Sequence, residues 1–134
     1  MSRFALSAAL AAAALCLLAQ PAAAQVATAT VPIAISTATS TELVVGISGT
    51  SIRGTHWDII AGGTGNITFA SADPGSSCLT NVKNLTGTYQ FTPQAGDSVG
   101  GGYGWILIAP PGKSLCAITT AAAAMSGSVS YAQN

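Results

Sequence analysis

Apolar and polar residues alternate with a period of two along most of the chain. Beyond the first two dozen residues no helical period replaces that alternation. The clearest run is 85–91, where Leu85, Gly87, Tyr89 and Phe91 fall on one side and Thr86, Thr88 and Gln90 on the other. That is the pattern of a half-buried antiparallel strand. Leu43, Val45 and Ile47 alternate in the same way with Val44 and Gly46. In 51–61, Thr55, Trp57 and Ile59 share one face and His56, Asp58 and Ile60 the other. Ile67 and Phe69 point together, and Met125, Gly127, Val129 and Tyr131 alternate with serines in a last strand. Residues 105–109 are apolar on both faces, which predicts a central strand. Residues 115–120 form another strand, and 31–36 a short one with Pro32 near its start, a position that suits a strand beginning or an edge.

Turn residues punctuate these runs. Residues 37–41 are polar, Gly62-Gly63-Thr64-Gly65 breaks the chain, and Pro93 and Pro110-Pro111-Gly112 close strands. Residues 71–84 read as a loop containing Asp73-Pro74-Gly75, in which Pro fixes φ and Gly accepts a positive φ. The glycine-dense stretch 96–104 is expected to be irregular or a bulged strand. Thr120 to Met125, with four alanines, is too short for an independent helix. About eight short strands at turn-punctuated intervals predict an all-β fold, a single antiparallel β-sandwich. A jelly-roll-like topology is the first expectation and an immunoglobulin-like sandwich the second.

The N-terminus does not belong to this pattern. Arg3 supplies one positive charge, 5–19 is rich in Ala and Leu, and Pro21 precedes Ala22-Ala23-Ala24. This is the layout of a secretory signal peptide, 1–24, leaving 25–134 as the sandwich domain. The apolar run is shorter than the ~20 residues that a membrane span needs, so the mature chain is expected not to insert in a membrane. The expected location is secreted, periplasmic or on the cell surface.

Only 6% of the residues are charged and the formal net charge is zero, against ~25% charged residues in ordinary domains. Such a surface has no means of neutralising phosphates, so nucleic acid is excluded as a partner. It also offers little repulsion between copies, which suits a homo-oligomer.

Candidate chemistry is sparse. Cys16 leaves with the leader, and Cys78 and Cys116 remain as a pair, expected to form a disulfide in an oxidising compartment. By the chain-entropy model the bridge stabilises by roughly 3–4 kcal/mol. Two cysteines and one histidine are too few for a structural metal site, and no cofactor is expected. His56 is the single histidine, with Asp58 two residues away on the same strand face. A small hydrolase relying on this pair is one reading, and a surface neighbour pair the other. Gly112-Lys113-Ser114 mimics the end of a phosphate loop but lacks its first glycine. Asn66-Ile67-Thr68 and Asn84-Leu85-Thr86 have the N-glycosylation spacing. Trp57 and Tyr103 are the candidates for stacking on a sugar ring, as in a carbohydrate-binding module using exposed aromatics. Core packing is the competing role, above all for Trp57 and Trp105.

The C-terminal third resembles a known group. Residues 105–109 (an apolar strand), Pro110-Pro111-Gly112, Leu115-Cys116 and the closing Ser126 to Tyr131 look like the end of small jelly-roll-like β-sandwich proteins of phage-virion and exported bacterial type. The stretch 55–69 is similar in the same way. The resemblance implies a β-sandwich and a non-enzymatic structural, assembly or surface-display role.

Overall fold

The structure is a computed structural model that describes residues 29–134 except 103 and 122. The expected leader 1–24, with Cys16, and the candidate Tyr103 therefore lie outside the described residues. Ten strands follow one another: β1 Ala29–Ile35, β2 Ser40–Val44, β3 Ile52–Ala61, β4 Gly65–Ala72, β5 Lys83–Asn84, β6 Tyr89–Phe91, β7 Gly96–Gly100, β8 Leu107–Ala109, β9 Ser114–Ile118 and β10 Met125–Gln133.

They form two antiparallel sheets. One runs β1-β10-β3-β7 with β8 also on β3, and the other runs β2-β9-β4-β5 with β6 also on β4. β7 covers His56 to Ile60 of β3, and β8 covers Ile52 to Gly54. These two strands are one edge ribbon interrupted by residues 101–106. β5 and β6 are likewise one ribbon along β4, interrupted at 85–88. Counted as ribbons there are eight, four per sheet. The first pairs with the last, the second with the second-last, and so inward to β4 with β5 and β6. A long antiparallel double ribbon has rolled up on itself, which is the jelly roll.

Two side-chain assignments change. The register of β3 on β10 jumps from His56↔Ser130 to Gly54↔Tyr131, which leaves Thr55 as a bulge. The bulge reverses the alternation: Ile52 and Gly54 are buried before it, and Trp57, Ile59 and Ala61 after it. Thr55 therefore does not share a face with Trp57. In β2 a second register shift lies between Glu42 and Val44. Val44 is buried there, the strand ends, and Val45 and Ile47 are left exposed. The expected central strand at 105–109 is instead the short edge strand β8, with Ile108 facing solvent.

The core lies between the sheets. Trp57 from the first sheet meets Phe69 at 5.5 Å and the edge of Tyr89 at 4.8 Å from the second. Ile33, Ile35, Ile52, Ile67, Leu107, Leu115 and Val129 fill the rest. A second, smaller cluster lies outside the second sheet. The outward faces of Ala70, Ala72 and Cys116 are covered by loop 73–82, whose Cys78 is bonded to Cys116.

Candidate functional site

The two outer faces of the sandwich differ. On the second sheet, loop 73–82 lies as a flap across β4, β9 and β2. Besides the Cys78–Cys116 bridge, with Cα atoms 6.1 Å apart, the Gly75 N–H donates to Glu42 Oε1 at 3.1 Å. Lys113 forms an ion pair with Asp73, which also accepts from Asn81 Nδ2 at 2.6 Å. The Lys113 and Asn81 hydrogen bonds hold the Asp73 carboxyl below the usual carboxylate range. Ser77, Cys78 and Asn81 adopt positive φ, a conformation that costs side-chain-bearing residues energy. The bridge and these bonds hold the loop in it. Both sulfurs are buried, as suits a chain that matures in an oxidising, extracytoplasmic compartment.

Among the described residues, nothing covers the outer face of the first sheet. β10 presents Ser126, Ser128 and Ser130; β3 presents His56, Asp58 and Ile60; β7 presents Gly96, Ser98 and Gly100. Ser128 Oγ donates to Asp58 Oδ1 at 2.5 Å, and Ser98 Oγ lies 3.5 Å from His56 Nε2. The imidazole leans over Gly100, whose added Cβ would stand 3.2 Å from Nδ1. A shallow depression of about 300 Å³ opens between β3 and β7, lined by Asp58, Ile60, Gly96, Asp97 and Ser98.

Ser98, Ser128 and Ile60 are absent from the sequence-based expectations for this site. A signal for Ser98 is present in the chain: Gly96-Asp97-Ser98-Val99-Gly100 has the G-x-S-x-G spacing of a nucleophile elbow. The surroundings differ from an elbow in three ways. Ser98 sits in an extended edge strand rather than at a sharp strand-to-helix turn. The N–H that an elbow turns to the reaction centre is that of the next residue, here Val99, which lies in the β3–β7 ladder opposite Trp57. Asp58 bonds to Ser128, and no bond joins it to His56 among the described residues. The cluster brings polar groups together but does not align an acid, a base and a nucleophile in series.

The remaining candidates have structural positions. Trp57 is 1% exposed and is corrected from ligand contact to core, because the bulge at Thr55 turns it between the sheets. Trp105 is half-buried, with the Arg53 guanidinium carbon 5.8 Å from its ring centre. Lys113, in the segment that mimics a phosphate loop, serves the Asp73 ion pair. Asn66 is tied on both sides of its amide to Thr120, whereas Asn84 is exposed. Comparison with protein-family models, curated proteins and solved structures finds no match for this chain.

Proposed function

We propose that the protein is an exported, non-enzymatic structural subunit that acts by associating with copies of itself once residues 1–24 have been removed. One observation carries this reading. Of the six large hydrophobic side chains exposed among the described residues, Val45, Ile47, Leu79 and Val82 come from loops 45–51 and 73–82, which are both tied to segment 110–114. Hydrogen bonds from Gly46 N to Ser114 Oγ, at the start of β9, and from Gly112 N to Thr50 O join loop 45–51 to segment 110–114, and the Lys113–Asp73 ion pair joins that segment to loop 73–82. Exposed apolar side chains gathered in one region mark association surfaces.

A second copy is the occupant that this end suits. Once Arg3 has left with residues 1–24, three basic residues (Arg53, Lys83, Lys113) face four acidic ones (Glu42, Asp58, Asp73, Asp97), a formal charge of −1 that creates little repulsion between copies, and Lys113 and Asp73 neutralise each other at the surface that would be buried. Strand-to-strand addition is disfavoured at three of the four sheet edges, β2 being the fourth. β1 carries Pro32, β7 spends the Ser98 N–H on Asp97, and the β5–β6 ribbon is broken. At those three edges association therefore runs through side chains.

Size-exclusion chromatography with light scattering on the secreted protein tests this. The expected result is a mass above that of the monomer at high concentration, returning to the monomer in a double Ile47→Asp, Leu79→Asp variant. A strict monomer at millimolar concentration overturns the reading.

A further inference from the structure

We propose that the outer face of the first sheet carries a binding site for a linear saccharide without acidic groups, lying along β7. Gly96, Ser98 and Gly100 present almost no side chain and make a floor. Beside it Ile60, Asp58 and His56 stand as a wall, each directly across from one floor residue. The result is a shelf along the sheet edge, with the depression of about 300 Å³ at its Gly96–Ser98 end. That volume is at the lower end of small-ligand sites and suits one sugar ring with its neighbours continuing along the floor.

The chemistry of the wall sets the ligand class. Ile60 is 60% exposed and offers an apolar surface to the C–H side of a pyranose. Asp58 is a carboxylate without a salt-bridge partner among the described residues, where the one ion pair is Lys113 with Asp73, and so is Asp97, which alternates to the other face of β7 and lines the depression from the edge. They accept hydrogen bonds from hydroxyl or ammonium groups and repel carboxylate, sulfate or phosphate. Ser98 and His56 add a hydroxyl and an imidazole, each able to donate or accept. An extended peptide fits less well. Adding a strand to β7 needs its outward amides, and the Ser98 amide is already held by Asp97 Oδ1. The site does not use the apolar end of the sandwich, so it stands or falls separately from self-association.

Chemical-shift titration of the ¹⁵N-labelled secreted protein is the test, repeated on the Ile47→Asp, Leu79→Asp background to remove any effect of oligomer state. The probes are cellohexaose, a hexamer of β-1,4-linked glucosamine, a hexauronate and a neutral Ser/Thr hexapeptide. Saturable shifts confined to residues 56–60 and 96–100 are expected with the first two probes only. Asp58→Asn should weaken the glucosamine hexamer about fivefold or more, the loss of one charge-assisted hydrogen bond. Ser98→Arg, on an exposed edge strand where folding is unaffected, should abolish binding by covering the floor. No shifts with either saccharide, shifts mapping elsewhere, equal binding of the uronate, or the same shifts with the peptide would each overturn the proposal.

Discussion

Gly127 shows how closely the ribbons of the first sheet approach. A Cβ built there would overlap the carbonyl oxygen of Asp58 and press on the Ile59 backbone. Gly127→Ala must push β10 away from β3 along the longest pairing of the fold, and overpacking of this kind costs about 1–3 kcal/mol. A fall in the denaturant midpoint with an unchanged slope would confirm it, and an unchanged midpoint would contradict it. Trp57 illustrates the opposite error. It fills the centre of the core between Phe69 and Tyr89, so Trp57→Ala should destabilise by about 3–5 kcal/mol, measurable by the same titration. Its burial was half legible in the sequence, because the alternation in 57–61 places Trp57 with Ile59. The alternation did not say whether that face turns inward, since a single bulge at Thr55 interchanges the two faces.

Loop 73–82 is held by one covalent bond and a few polar ones, and the two can be separated. A Cys78→Ser, Cys116→Ser variant should lose about 3–4 kcal/mol by the chain-entropy model, the bridge joining residues 38 apart. Limited proteolysis should then cut within 73–82 before anywhere else, since three positive-φ residues no longer have the bridge to hold them. Equal protease resistance of variant and parent would show that the polar bonds suffice. Asp73 makes the polar part pH-dependent. Its folded carboxyl lies below the ordinary value of 3.8, so its stabilisation is complete above that value and is lost as pH falls through the lower, folded one. The stability difference between the parent and Asp73→Asn should be constant at neutral pH and vanish in strong acid. A difference that grew on acidification would refute this. The cysteine pairing was readable from the sequence, because of the three cysteines Cys16 falls in the expected leader and the remaining two permit one intramolecular bridge. That the bridge carries a flap over the outside of a sheet was not, because loop paths depend on contacts far away in sequence, here with Glu42 and Lys113.

Among the described residues the sandwich has one covered outer face, one uncovered outer face, three guarded edges and exposed aliphatic side chains on loops 45–51 and 73–82. If it is a structural subunit rather than a hydrolase, a fluorophosphonate probe should leave Ser98 unlabelled under conditions that label an active serine hydrolase. Stoichiometric labelling lost in His56→Ala would overturn that view. The probe is a fair test because Ser98 is exposed on β7 and within 3.5 Å of an imidazole. What separates it from an activated serine is the missing third partner: Asp58 is turned to Ser128 and leaves the ring unoriented.

Local patterning was enough to specify most strands and turns, the pairing of Cys78 with Cys116 and an antiparallel sandwich, although the clearest alternation, 85–91, is strand only at 89–91 because 85–88 interrupt the ribbon along β4. Each of these follows from period-two alternation or from the chemistry of Gly, Pro and Cys, properties that a residue carries whatever its distant neighbours are. Three features depended on distant parts of the chain meeting. These are the reversal of faces at Thr55, the edge position of 107–109, and the shelf where β7 lies against β3. Bulges and edge positions are properties of pairs of strands, and a shelf exists only where small residues on one ribbon stand beside large ones on another. Neither kind of feature can be written into one segment alone.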